Sequence, residues 1–173
     1  MNSLREDSIK IAGIVKESIV DGPGIRYVIF TQGCPHKCVG CHNPQTHDFN
    51  GGKFVEISKI AEDIAKNPLL KGITISGGEP FMQAKSLAKL ISKLDRNKLD
   101  VIVYSGFKYE YLTQNANSDN FYLELLQNSD ILIDGKFEIE LKSDKLPFRG
   151  SLNQRSIDLN KSIEQNTVVL YEF

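Results

Sequence analysis

The feature that most constrains the fold of this sequence is an alternation along its length. Short apolar, β-branched runs recur at residues 9–15, 25–31, 73–76, 101–104, 131–134 and 167–171, and each has the length and composition of a strand. Between several of them lie helix-period segments: Ile57, Ile60, Ala61, Ile64 and Ala65 fall on one helical face, as do Ala84, Leu87, Ala88, Ile91 and Leu94. A third, weaker helix is predicted over residues 121–126. Strands alternating with amphipathic helices predict βαβ units, a mostly parallel sheet and helices outside it. A complete eight-fold barrel typically needs about 250 residues. The 173 residues here therefore suit an α/β fold in the form of an incomplete (partial) β/α barrel, a single domain over residues 1–173. In such folds the reactive groups sit on loops after the carboxyl ends of strands. The Asn/Ser-rich residues 114–120 read as a surface loop.

Charge excludes some partners. Lys and Arg total 21 against 22 for Asp and Glu, so no strong field favours nucleic acid or an anionic membrane. The opening residues 1–8 are polar and of mixed charge, and no apolar run approaches the ~18 residues of a membrane helix. The expectation is a cytoplasmic protein with neither a nucleic-acid nor a membrane partner.

All three cysteines, Cys34, Cys38 and Cys41, fall within eight residues. An odd count packed so closely does not suit the disulfide framework of a secreted domain. The spacing C-x3-C-x2-C, with Gly33, Pro35 and Gly40 to turn the chain, lets successive thiolates reach different irons of one compact cluster. A four-iron cluster held by three thiolates keeps one iron open. The competing reading is a zinc site closed by His36, His42 or His47. Structural zinc sites usually draw on two ligand pairs far apart in sequence, and no second pair exists here.

The cysteine loop resembles that of the radical S-adenosylmethionine (SAM) enzymes, and a second segment agrees with it. Ser76-Gly77-Gly78-Glu79-Pro80, after the strand at 73–76, is similar to the family's Gly-Gly-Glu motif. Alone, a double glycine between strand and helix is often only a tight turn. Asp21-Gly22-Pro23-Gly24-Ile25-Arg26 resembles the glycyl-radical activases, although a Gly-Pro turn would look alike. Cys41-His42-Asn43-Pro44-Gln45-Thr46-His47, Tyr104-Ser105-Gly106-Phe107, Ile133-Asp134-Gly135-Lys136-Phe137 and Phe148-Arg149-Gly150-Ser151-Leu152-Asn153-Gln154-Arg155 narrow the likeness to activases of anaerobic ribonucleoside-triphosphate reductase, over nearly the whole chain.

The resemblance implies a [4Fe-4S] cluster on Cys34, Cys38 and Cys41 whose open iron is chelated by the amino and carboxylate groups of SAM. One electron, from a donor such as flavodoxin or ferredoxin, then cleaves SAM reductively. The 5′-deoxyadenosyl radical takes hydrogen from a glycine loop of the reductase, delivered to the mouth of the barrel. In the same way it implies cofactor-binding roles for Gly40, His42, Ser76, Gly77, Gly78, Glu79, Asp134, Lys136 and Arg149, and catalytic roles for Asp21 and Lys136. The wider superfamily often has an aromatic residue where this chain has Gly40. Asp134 and Lys136 are expected to face the mouth, and Asn153, Gln154 and Arg155 to contact SAM or the partner. The plain alternatives are a turn-capping Asp21, a surface salt bridge of Asp134 with Lys136, and a solvated basic turn at 149–155. Phe107, Tyr109 and Tyr111 lie near helical spacing, which favours packing over adenine stacking. Two other readings stay open: another radical SAM enzyme, such as a pyruvate formate-lyase activase or a deazaguanine synthase, and a non-catalytic zinc-binding interaction module.

Overall fold

The computed structural model describes residues 7–173, so most of the polar opening segment lies outside the described residues. Among these residues seven strands form one sheet: β1 (Ser8–Ser18), β2 (Arg26–Thr31), β3 (Lys53–Glu56), β4 (Gly72–Gly77), β5 (Asp100–Ser105), β6 (Ile131–Asp134) and β7 (Arg155–Asp158), in the order β3-β1-β2-β4-β5-β6-β7. β2, β4, β5 and β6 run parallel. The β1–β2, β1–β3 and β6–β7 pairings are antiparallel. The sheet is therefore mixed, parallel in its centre and antiparallel at both flanks, where the sequence suggested a mostly parallel one. Among the described residues, five α-helices accompany it: α1 (Ile57–Ala65), α2 (Ala84–Ile91), α3 (Tyr109–Gln114), α4 (Tyr122–Gln127) and α5 (Leu159–Gln165).

The period-two alternation of strand side chains divides the parallel strands between two faces. Tyr27, Ile29, Ile73, Ile75, Val101, Val103 and Leu132 join Ile60, Ile64, Leu87, Leu90 and Leu125 of the helices in the main core. The other face carries Arg26, Thr74, Ser76, Ile102, Tyr104 and Ile133, and a smaller apolar cluster of Ile102, Ile131 and Ile133 lies there under Tyr104, Phe148 and Tyr171. The helical stripes read from the sequence are the ones that bury: Ile57, Ile60 and Ile64 on α1, and Ala84, Leu87, Ala88 and Ile91 on α2. No helix among the described residues is long and apolar enough to cross a membrane.

Two strands and two helices were not anticipated. β3 is a four-residue, mostly exposed edge strand, and β7 offers only Ile157 to the main core. Neither has the apolar run that marks a strand in sequence. The strand expected at residues 167–171 is instead a segment lying along β7, with an isolated bridge from Leu170 to Ile157 and two backbone bonds, Asp158 N–H to the Val169 carbonyl and Tyr171 N–H to that of Ser156. The helix expected at residues 121–126 is α4, which begins after Phe121 in a left-handed backbone conformation.

Candidate functional site

A cavity of about 470 Å³ opens on the sheet face away from the helices, toward the carboxyl ends of the parallel strands. That volume lies in the range of small-molecule sites. Phe30, Ser76 and Tyr104 from β2, β4 and β5 line it, and Cys34, Cys38 and Cys41 reach it from the loop after β2.

The cysteine loop folds back on itself through its own backbone. Gly33 N–H donates to the Thr46 carbonyl at 2.8 Å, Cys34 N–H to that of His47 at 3.2 Å and Cys41 N–H to that of Cys38 at 3.2 Å. A short 3-10 turn, Pro44–Thr46, closes the far arm, and the Thr46 hydroxyl donates to the Asn43 carbonyl at 2.7 Å. The Gln32 side chain secures the arm further by donating to the Gln45 and Asp48 carbonyls.

All three thiols are free, Cys34 buried and the other two partly buried. Asn43 N–H donates to Cys41 Sγ at 3.4 Å. Burial pushes the Cys34 thiol above its ordinary range, against the opposing pull of the His36 and Lys37 N–H groups that bond it. Backbone N–H groups directed at sulfurs suit thiolates held by a metal centre. Among the described residues no three Cys, His, Asp or Glu side chains converge as a single bound ion requires.

The glycine motif forms the wall beside this loop. Gly77 has φ +93°, and a Cβ there would come within 2.5 Å of the Thr31 nitrogen. A Cβ on Gly78 would lie 2.4 Å from the Gly33 carbonyl oxygen. Only glycine lets these backbones meet. Gly78 N–H donates to the Thr31 carbonyl and Glu79 N–H to that of Gly33, both at 2.8 Å, which stitches the end of β4 to the start of the cysteine loop. Ser76, Gly77 and Gly78 line the cavity. The Glu79 side chain is fully buried behind that wall, where its carboxylate accepts from Phe81 N–H at 3.1 Å, the Ser105 hydroxyl at 3.0 Å and Gly106 N–H at 2.8 Å, and meets His36 Nε2 at 2.7 Å.

Asp21, His42, Lys136 and Arg149 also line the cavity. Asp21 accepts from the Ser18 hydroxyl at 2.5 Å, while its carbonyl accepts from Thr74 Oγ1 at 2.7 Å. His42 packs against Phe137, ring centroids 4.9 Å apart. Arg149 Nη1 donates to the Gln154 carbonyl at 3.2 Å, and its Nε is buried without a hydrogen-bond partner. Gly40 stands outside the lining, with φ +73°, and a Cβ there would lie 2.7 Å from Ile139 Cδ1.

Asp134 is not at the mouth as expected. The alternation along β6 sends Ile133 to the cavity face and Asp134 to the helix side. There it is 1% exposed, accepts from Tyr109 N–H at 2.8 Å and ion-pairs with Arg155. Arg155, expected in a loop near the cofactor, is a β7 residue with its guanidinium shared between Asp134 and Glu110. Asn153 donates to the Lys136 carbonyl and Gln154 to that of Gly135, so both act on the loop carrying Lys136. Phe107 and Tyr111 stack on each other, 4.8 Å apart and 11° from parallel, in line with packing.

Sequence reasoning missed two residues. Arg26 is fully buried: Nε donates to Thr74 Oγ1 at 2.7 Å, and Nη2 to the Ile73 carbonyl at 2.7 Å and Asp100 Oδ1 at 2.5 Å. It joins the loop before β2 to β4 and β5. Its signal was a lone cation opening an otherwise apolar strand. His36 was passed over in favour of His42, and nothing in the local sequence announces its contact with Glu79 43 residues away.

A family model described as a 4Fe-4S single cluster domain matches residues 20–157. The anaerobic ribonucleoside-triphosphate reductase-activating protein of Enterobacteria phage T4 is 35% identical over 143 residues, covering 79% of this chain and 85% of that one. Its counterpart in Escherichia coli (strain K12) is 34% identical over 146 residues, covering 79% and 90%. That of Haemophilus influenzae is 31% identical over 144 residues, covering 79% and 89%. Among solved structures, QueE from Escherichia coli aligns over 77% of this chain and 73% of that one at a TM-score of 0.45 and 12% identity.

Proposed function

From its membership of the anaerobic ribonucleoside-triphosphate reductase-activating protein family, we propose that this chain installs a glycyl radical on such a reductase, using SAM and a [4Fe-4S] cluster held by Cys34, Cys38 and Cys41. The observation that carries the reading is one cavity, at the carboxyl ends of parallel strands, that gathers all three thiols and a glycine-walled pocket. On this reading residues 1–173 are one radical SAM domain, and β2, β4, β5 and β6 are the strands of an incomplete barrel.

When bound, the cluster and SAM would supply a one-electron reductive cleavage that yields methionine and a 5′-deoxyadenosyl radical. The chain's own residues do the rest. Gly77 and Gly78 keep the wall free of side chains, so a ligand can lie against backbone. Ser76 offers a hydroxyl from the cavity floor. Arg149 Nε, buried and without a partner, fits an anionic group such as the SAM carboxylate, and Lys136 adds a second cation on the same cavity. An unsatisfied buried donor is costly, which favours a ligand oxygen there. Glu79 acts from behind the wall, Gly40 and His42 shape the rim, and Asp134 acts by holding β7 and α3 against the loop that carries Lys136. Asp21, tied to Ser18 and Thr74, holds the opposite wall, where the glycine loop of the reductase would enter. Alignment of that glycine is the main demand, since a primary carbon radical abstracts from almost any C–H bond within reach. A flavodoxin- or ferredoxin-type donor would supply the electron, and nothing in the near-neutral charge calls for nucleic acid.

Anaerobic reconstitution followed by iron and acid-labile sulfide analysis, then incubation with SAM, strong reductant and the reductase, tests the reading. Cluster iron with sulfide, 5′-deoxyadenosine release and a glycyl radical resonance on the reductase are expected, and all but residual signal is lost in Cys38→Ala. Zinc without sulfide, or SAM left intact under reductant, overturns it.

A further inference from the structure

We infer that His36 is a positioning residue: through Glu79 it clasps the cysteine loop to the ends of β4 and β5 and so holds the arm between Cys34 and Cys38 in place. The inference rests on the reading of the cysteines as cluster ligands and assigns the residue that keeps their loop in register.

His36 lies between two of the three cysteines, yet its side chain is only 6% exposed. At the edge of the cavity it meets three residues distant in sequence, Glu79, Gly106 and Phe107. Its Nε2 is 2.7 Å from Glu79 Oε2, and its ring meets Phe107 edge-on with centroids 4.5 Å apart. Its third neighbour is Gly106, where a Cβ would stand 2.3 Å from His36 Cδ2, so the absence of a side chain at 106 is what admits the ring.

Glu79 is the hub of this junction. Its other partners, Phe81 N–H, the Ser105 hydroxyl and Gly106 N–H, come from the turn after β4 and the end of β5. His36 is the partner from the cysteine loop, so the buried carboxylate joins three loops at one point. Hydrogen bonds to a charged, buried acceptor are among the stronger ones.

The two arms of the loop are held differently. The arm from Cys41 to His47 is fixed by its own 3-10 turn and by backbone bonds to Gly33 and Cys34. Among the described residues, the hydrogen bond from His36 is the one that ties residues 35–40 to a distant part of the chain. Cys38 therefore depends on the clasp more than Cys41 does.

The test uses the full-length chain, reconstituted anaerobically and checked for iron, sulfide and circular dichroism, and it follows iron release to a ferrous chelator. Loss of a hydrogen bond to a buried charge predicts roughly tenfold faster release in His36→Ala. His36→Gln, whose amide N–H can still reach Glu79, should stay within about twofold of wild type. His36→Phe, which fills the socket without donating, should remain fast. Gly106→Ala should be fast as well, although it removes no donor, because it evicts the ring. In the chelated chain, alkylation followed by peptide mass spectrometry should show Cys38 more reactive in His36→Ala and Cys41 unchanged. If His36→Ala fails to fold, the comparison of Gln with Phe decides. Wild-type release from His36→Ala, or equal protection by Gln and Phe, overturns the inference. A wild-type chain that never takes up sulfide instead overturns the cluster reading, and the alkylation pattern then judges the clasp alone.

Discussion

The two faces of the parallel strands are built on opposite terms. On the helix side Ile29, Ile73, Ile75, Val101, Val103 and Leu132 are almost fully buried and interlock with α1, α2 and α4. On the cavity side the same strands present Arg26, Thr74, Ser76 and Tyr104, each placed by hydrogen bonds or open to the cavity, beside only a small apolar cluster of Ile102, Ile131 and Ile133. One face therefore carries stability through apolar burial, and the other holds geometry through polar contacts that contribute less per group. The division teaches where damage should be greatest: stability should fall furthest from changes on the helix side, and chemistry from changes on the cavity side.

Adjacent residues of β4 give the sharpest way to break that contrast. Ile75 is fully buried on the helix side, so Ile75→Ala should cost about 2–5 kcal/mol. At roughly 2–4 °C per kcal/mol for a chain of this size, its melting temperature should fall by roughly 4–20 °C. Ser76→Ala, one residue on, should move stability by under about 0.5 kcal/mol while weakening SAM binding in an equilibrium titration. Equal losses of stability in the two variants would dissolve the distinction between the faces.

Arg26 tests whether the polar face is held by fork geometry or by charge. Its guanidinium reaches Thr74, the Ile73 and Pro23 carbonyls and Asp100 together. A lysine ammonium keeps the charge and cannot match that spread. Arg26→Lys should therefore lose about 1–2 kcal/mol in urea unfolding, from hydrogen bonds left unmade. A lysine variant as stable as wild type would mean that charge alone suffices.

The same contrast explains what could be read from sequence. Helix-side burial writes itself as periodicity, so the central strands, α1 and α2 were legible from runs such as residues 73–76 and the Ile57, Ile60 and Ile64 stripe. The flanks were not: β7 shows one core residue, and its ends are the polar Arg155 and Asp158. At the site, local spacing exposed the cysteine loop and the glycine wall, which are close in sequence. Contacts that join distant segments, such as His36 with Glu79 or Asp134 with Arg155, leave no local trace. Alternation puts Asp134 on the face opposite Ile133, but the unbroken apolar run from Ile131 to Ile133 does not mark in sequence which face that is.

The smallest expected effect lies at the sheet's β7 flank, where Arg155 bridges buried Asp134 and the half-exposed Glu110. Hydrogen bonding from Arg155, against a smaller opposing effect of burial, pulls the Glu110 carboxyl down from 4.5 to about 2. A carboxylate depressed in the folded state stabilises the fold above its unfolded value, and that contribution fades as pH falls toward the folded one. Because the Glu110 side chain is 46% exposed, solvent screening limits the pair to under about 1 kcal/mol. Glu110→Gln should thus be less stable than wild type in urea unfolding of the metal-free chain near pH 6. The gap should narrow from pH 4.5 downward and close toward pH 2, as Glu110 takes up its proton. A gap unchanged at pH 3 would show that glutamine disturbs packing around Arg155 and that the charge on Glu110 is not what the fold uses.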